Sequence, residues 1–450
     1  MTVTVEADAT ADQTVDERLL IVSADAHVGP RLVEDLRPYC ERRLFDEFDA
    51  FAAKIGPIPT DPDEIVAAMR KRGVGRELTA AMAWNQRSEG HYDPAARVRD
   101  MDADGVAAEV LFHGSQNFVP LPFDADNLFG NIQRASSTDY ELLAAGRRIY
   151  NRWLADFCNS APGRFVGLAQ LPIWDVEASI EEAAWAASAG LGGINFPAAD
   201  APGMPPLDDE AFERFYALCS DQDLPLTTHI SAAPPTHRYW RSPYGGAIGL
   251  VDAGWWCRRS LTILTLMGAF ERHRNLKVVL TEHPGAWLVD AVEELDSIYD
   301  YMQSGPLRAS LPRRPGEYIG EHVWIGASFQ SRPEAEDAVA RGYSGRLMWG
   351  SDYPHAEGTW CYQEGEGGVR MTHVAIANTY HDLPLTEVRG MLGGNAVDCY
   401  SRLDAGGLRD VAERIGAPRP REVLVAGLEP EQEFPNRRTS MAFRTHGHWA

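Results

Sequence analysis

No two of the six cysteines, Cys40, Cys158, Cys219, Cys257, Cys361 and Cys399, stand close enough to form a Cys-x-x-Cys pair. That excludes a thiolate zinc cage and a disulfide framework, and the thiols read as reduced. No apolar run approaches the roughly 20 residues that span a bilayer. Residues 1–18 are acidic and rich in Ala, Asp and Thr, and they lack the basic and apolar stretches of a signal peptide. These absences predict a cytoplasmic protein with a short flexible leader and no membrane partner. Basic residues are also scarce: 42 Lys and Arg face 65 Asp and Glu, a formal net charge of -23. The resulting field repels phosphates and speaks against nucleic acid as a partner. An anionic small-molecule substrate then needs a local cationic pocket.

What is present is a long alternation of β-rich and helix-periodic segments. With 450 residues and 44% hydrophobic content, the chain can bury a large core. Eight strands are expected: from Arg18 to Asp25, Ala108–His113, Phe165–Leu171, Gly193–Phe196, Pro225–Ile230, Leu276–Thr281, Val323–Phe329 and Arg346–Trp349. Helical spacing falls mostly between them, as in residues 139–160 and 287–301. This predicts a (β/α)8 TIM barrel over 19–404, with inserted loops and helices over about 29–97 and a C-terminal extension over 405–450. The connection His237–Trp256 reads as a Gly-rich loop, and Leu385–Leu403 as a closing helix.

In a parallel barrel every strand opens its downstream end on one face, and polar residues gather there. Asp25-Ala-His27 ends the first strand, and period-two geometry sets both side chains on one side. His229 ends the fifth strand, Glu282-His283 the sixth, and Asp352 follows the eighth in Gly350-Ser-Asp-Tyr-Pro-His355. Alone, each is an ordinary turn or capping residue. Together they predict a mixed nitrogen and oxygen site for one zinc or manganese ion.

The motifs Ser23-Ala-Asp-Ala-His27, Met101-Asp-Ala-Asp-Gly-Val106, Thr228-His229, Glu282-His-Pro-Gly-Ala-Trp287, Trp349-Gly-Ser-Asp-Tyr-Pro-His355 and Gly393-Gly-Asn-Ala396 carry a resemblance. Over roughly Leu20–Leu403 the chain resembles the amidohydrolase superfamily, in the branch of aminocarboxymuconate semialdehyde decarboxylase and the resorcylate and carboxyvanillate decarboxylases. The resemblance implies Asp25, His27 and His229 as metal ligands, with Asp352 touching both metal and water or substrate. It also implies a homodimer or higher homo-oligomer. Two positions depart from the family pattern. Asp25 stands where many relatives have the first His of His-x-His, which makes the site harder and favours manganese. Glu282 stands where relatives with decarboxylase activity often carry a His. Either Glu282, as ligand or proton shuttle, or His283 then serves as acid or base, and only one is expected to face the barrel unless the strand has already ended. The end of strand four has no Lys, so a single metal is expected.

Substrate contacts are expected from His113, Arg238, Arg258, Trp174 and His355, and loop aromatics such as Trp84, Tyr239, Trp240, Trp255 and Trp256 suit a planar substrate. The function expected is metal-dependent non-oxidative decarboxylation, or a related carbon–carbon cleavage, of a small carboxylated aromatic or ring-cleavage substrate. The alternatives are a metal-dependent hydrolase of an amide, ester, lactone or carbon–carbon bond, and a non-catalytic ligand-binding barrel.

Overall fold

Eight short runs of buried, mostly apolar residues form a parallel sheet in strict chain order: β1 (Val22–Val28), β2 (Ala108–His113), β3 (Phe165–Gln170), β4 (Gly193–Asn195), β5 (Leu226–His229), β6 (Val278–Thr281), β7 (Val323–Ala327) and β8 (Leu347–Trp349). The structure, a computed structural model, describes residues 16–429 apart from 58–62, 65–66, 68–81, 84, 126–138, 200, 202, 231–241, 243, 303, 329 and 362–368. Helices fill the connections, giving the (β/α)8 TIM barrel that the alternation predicts. Several begin on acidic caps: Asp93, Asp139, Asp175 and Asp209 each accept backbone N–H groups of the first turn.

The barrel closes through the segment after β8. The Ser351 amide donates to Ser23 Oγ, the Asp352 amide to the Asp25 carbonyl at 2.9 Å, and the His27 amide to the Tyr353 carbonyl at 2.6 Å. The seam of the barrel therefore runs between Asp25-Ala-His27 and Asp352. Here β1 continues past Asp25, where the sequence reading ends it, because it pairs with β2 up to Val28 and bridges Tyr353 from Ala26 on the other flank. Its register against β2 shifts between Ser23 and Ala26. This irregularity lets Ala24 join the lumen packing with Val22 while Asp25 and His27 also turn inward.

The lumen is packed by Val22, Ala24, Val110, Phe112, Val166, Leu168, Val279, Trp324 and Met348, joined by Cys399, Tyr400 and Leu403 of the closing segment. A second, larger core lies between strands and helices.

Two expectations differ from what is observed. The stretch read as a loop up to Trp256 is already helical from Gly245, in a helix running to Leu266, so Trp255 and Trp256 are helical residues. Its glycines lower helix propensity, and packing overrides them. The closing helix is broken into Leu385–Arg389, a wide turn Gly390–Gly394 and Asn395–Cys399. Asn395 explains the last piece: its Nδ2 donates to the Ser344 and Leu347 carbonyls at 2.8 and 2.6 Å, pinning the start of β8. Of the extension, Ala405–Ile415 is helical, and the Leu19 amide donates to Pro418 behind it. Among the described residues no helix is long and apolar enough to cross a membrane.

Candidate metal centre

The strand ends bring four of the sequence-selected residues together. His27 Nε2 lies 3.3 Å from Asp25 Oδ1 and 3.1 Å from Asp352 Oδ1, and His229 Nε2 lies 3.8 Å from Asp25 Oδ1. Glu282 joins them, its Oε2 3.3 Å from His229 Nε2. Two of these residues sit at positive φ, Glu282 at 58° and Asp352 at 53°, a backbone region that is costly for non-glycine residues. β6 has ended by then, since the amides of Glu282 and His283 both point to the Gly326 carbonyl. Strand alternation therefore no longer applies to this pair. Glu282 turns to His229, whereas the His283 ring lies edge-on to Trp287 with centroids 6.3 Å apart.

The atoms facing the centre fit a divalent cation. Asp25 Oδ1, His27 Nε2 and both Asp352 oxygens are buried and complete no hydrogen bond, although their neighbours are close. Buried lone pairs left without a hydrogen-bond donor are the pattern that metal ligands give. Ligand atoms of Asp25, His27 and His229, and those of His27, Asp352 and His355, each fall within 4.8 Å of one another. His27 Nδ1 lies 3.4 Å from the His113 carbonyl, which sets the tautomer that leaves Nε2 as the ligand. Ser328 Oγ donates to Asp25 Oδ2 at 2.6 Å and fixes that carboxylate. Close approach is built in at Gly350, where a Cβ would lie 2.8 Å from Ser328 Oγ and 2.9 Å from Asp25 Cβ. Gly350→Ala is expected to cost about 1–3 kcal/mol by overpacking and to lower metal occupancy, measurable by thermal melting and metal analysis.

Electrostatics separate the carboxyls. Burial, then the nearby Asp352, Asp25 and Glu357 carboxylates, push the Glu282 carboxyl well above its usual range. Burial would raise Asp352 as well, but the His355 and His27 imidazoles beside it hold it below the usual range. For His27 burial acts to lower the pKa, and the contacts to Asp25 and Asp352 overcome it and raise it to about 10. His229, chiefly through burial, drops to about 4. Without a cation, the His27 imidazolium contributes stability that is complete below about pH 6.5 and lost as pH rises through about 10. Cation uptake must displace that proton, so apparent manganese affinity should rise about tenfold per pH unit between roughly pH 6 and 8. Calorimetric titration in buffers of different ionisation enthalpy checks this by counting the proton released.

The remaining candidates spread more widely. His355 stacks on His27 at 3.9 Å, donates from Nε2 to the Gly114 carbonyl at 2.7 Å and places Nδ1 3.0 Å from Asp352. His113 is buried edge-on to Tyr150. Its neighbour in sequence, Phe112, is the ring that meets both His27 and His229. Trp174 packs on Tyr140 and under the Arg147 guanidinium. Arg258 lies over the Trp287 ring at 4.4 Å, in a cavity of about 370 Å³ between the helices Gly245–Leu266 and Trp287–Tyr301. Arg238, Trp84, Tyr239 and Trp240 lie outside the described residues. Sequence reading missed Ser328, Gln116 and Glu357, single polar residues in loops. The strand-end position of Ser328, just past Ala327, is the one signal that pointed to it.

The sequence profile of the amidohydrolase family matches residues 57–402. The chain belongs to that family. The matched span begins downstream of Asp25 and His27. Membership makes this chain a metal-dependent enzyme of the amidohydrolase superfamily, in keeping with the donor set at the barrel mouth. No curated protein matches the chain. Among solved structures it is similar to an amidohydrolase from Mycobacterium avium subsp. paratuberculosis K-10, with 16% identity, TM-score 0.61, and coverage of 85% of this chain and 99% of that one. The 5-carboxyvanillate decarboxylase of Sphingomonas paucimobilis gives 19% identity, TM-score 0.57, and coverage of 85% and 99%. The 5-carboxyvanillate decarboxylase of Novosphingobium aromaticivorans, solved with manganese and 4-hydroxy-3-methoxy-5-nitrobenzoic acid, gives 19%, 0.55, and coverage of 85% and 96%. At these identities the likeness establishes the fold.

Proposed function

We propose that this amidohydrolase-family protein is a manganese-dependent non-oxidative decarboxylase of a small hydroxylated aromatic acid. The observation that carries the reading is the cluster at the barrel mouth, Asp25, His27, His229 and Asp352 with Glu282 Oε2 3.3 Å from His229 Nε2, in which the Glu282 carboxyl is pushed up and the Asp352 carboxyl down. Structural neighbours that are aromatic-acid decarboxylases, one of them with manganese, support the same choice. When bound, the cation supplies charge that fixes the substrate's carboxylate and adjacent hydroxyl. Asp25, His27, His229 and Asp352 hold that charge in place, and Ser328 and the His113 carbonyl orient two of them. Glu282, at the rim of the cluster, is the acid that delivers its carboxyl proton to the ring carbon. The carbon–carbon bond then breaks, carbon dioxide leaves, and water returns the proton to Glu282. Phe112 and the buried strand ends keep bulk water from competing.

The test is direct. Protein loaded with manganese is incubated with salicylate, dihydroxybenzoates and methoxylated hydroxybenzoic diacids, and evolved carbon dioxide is measured beside a panel of amides, esters and lactones. Carbon dioxide with loss of one carboxyl supports the reading; turnover confined to the hydrolytic panel overturns it in favour of the hydrolase.

A further inference from the structure

The cavity of about 370 Å³ between the helices Gly245–Leu266 and Trp287–Tyr301 is lined by an arginine that no acid balances among the described residues. The Arg258 guanidinium lies 4.4 Å from the centre of the Trp287 ring, and its Nε is buried without a hydrogen-bond partner. No carboxylate of the described residues stands within ion-pair distance of it, and burial lowers its pKa to about 10 with Cys257 alone opposing the shift. Other enclosed arginines are matched: Arg97 meets Glu109 at 2.6 Å, Arg147 meets Asp124 at 3.2 Å, and Arg164 meets Asp102 at 2.8 Å. The Trp287 face offsets part of the cost of taking Arg258 out of water, and its forked donors remain for a ligand.

The acids that share this cavity do not occupy that fork. Asp290 is bound to Arg341 at 2.6 Å, and Glu294 lies one turn further along the same helix. A second cation, Arg259, stands 5.8 and 5.5 Å from the Trp255 and Trp256 rings, and much of the remaining wall is apolar, with Leu261 and Leu288 among it. The volume suits a single-ring molecule. The site is turned away from the metal ligands: Cys257, the residue before Arg258, faces the barrel and donates from Sγ to the His229 carbonyl at 3.0 Å, while Arg258 leaves the helix towards Trp287. We propose that this cavity is a second binding site, separate from the metal centre, for a small aromatic carboxylate. The Arg258 fork holds its carboxylate and the apolar wall its ring. The inference does not depend on which reaction the metal centre performs.

Binding of benzoate, and of its neutral counterpart benzamide, is measured by calorimetry on the full-length, manganese-loaded wild type and on Arg258→Met, Arg258→Lys and Asp352→Asn. The wild type should bind benzoate roughly tenfold or more tightly than benzamide. Arg258→Met should lose that preference with manganese content intact. Arg258→Lys keeps the charge without the planar fork, should retain part of the preference, and decides the question if the Met variant does not fold. Asp352→Asn, which empties the metal centre, should bind benzoate as the wild type does. Benzoate binding that survives both Arg258 substitutions, or that disappears in Asp352→Asn, overturns the assignment. So does a wild type that binds no benzoate, and a smaller assembly of Arg258→Met in sedimentation would then assign the cavity to a second copy of the chain.

Discussion

Asp352→Asn should abolish manganese loading at stoichiometric metal and lower turnover by roughly 10³-fold or more, with the barrel still folded. Asn keeps the size of Asp and removes the charge. In the native site that charge sits 3.1 Å from His27 Nε2 and 3.0 Å from His355 Nδ1, and both Asp352 oxygens lack a hydrogen-bond partner. Altering a group that merely orients a metal ligand costs about 10- to 100-fold in affinity, and loss of a ligand charge should exceed that. His229→Ala removes the donor from the opposite strand and should have the same outcome. Metal analysis after gel filtration, combined with the carbon dioxide assay, measures both effects. Full manganese content and unchanged turnover in either variant would remove the centre from the mechanism.

Those two residues were legible in the sequence for a physical reason. A parallel barrel forces strand ends to one face, so Asp25, His229 and Asp352 meet although hundreds of positions separate them. The apolar runs before them mark the strands. Other parts left no such trace. The irregularity in β1 and the positive φ of Glu282 and Asp352 are backbone events set by tertiary hydrogen bonds, and no residue type announces them. Period-two reasoning separates Glu282 and His283 only while the strand runs, and the strand ends at Thr281, the exception that the sequence reading left open. The helix starting at Gly245 was hidden by its glycines, since propensity is local and the packing that overrides it is not. Gln116 and Glu357 were hidden because their contact spans 241 positions between two loops. A lone polar residue in a loop carries no periodic signal.

The second large effect is expected well outside the metal cluster. Arg97 is fully buried, with Nε on Glu109 Oε2 at 2.6 Å, Nη1 on the His27 carbonyl at 2.7 Å, and the guanidinium over the Tyr353 ring at 3.9 Å. It therefore ties β2 to both halves of the seam that presents His27 and Asp352. Arg97→Met should destabilise the protein by about 3–5 kcal/mol, because Glu109 is left charged and unpaired in a site where burial already raises its pKa. The sign of the pH dependence follows: as pH falls, the stranded Glu109 takes up a proton and the deficit relative to wild type shrinks. Adding Glu109→Gln to Arg97→Met should recover much of the stability, since the unpaired charge is gone. It should not recover activity in proportion, because the His27 carbonyl and the Tyr353 ring still lack their partner. Denaturant titrations of the two single variants and the double variant, with turnover measured in parallel, separate these contributions. Equal recovery of stability and turnover in the double variant would mean that Arg97 serves only as a counter-ion and does not position the site.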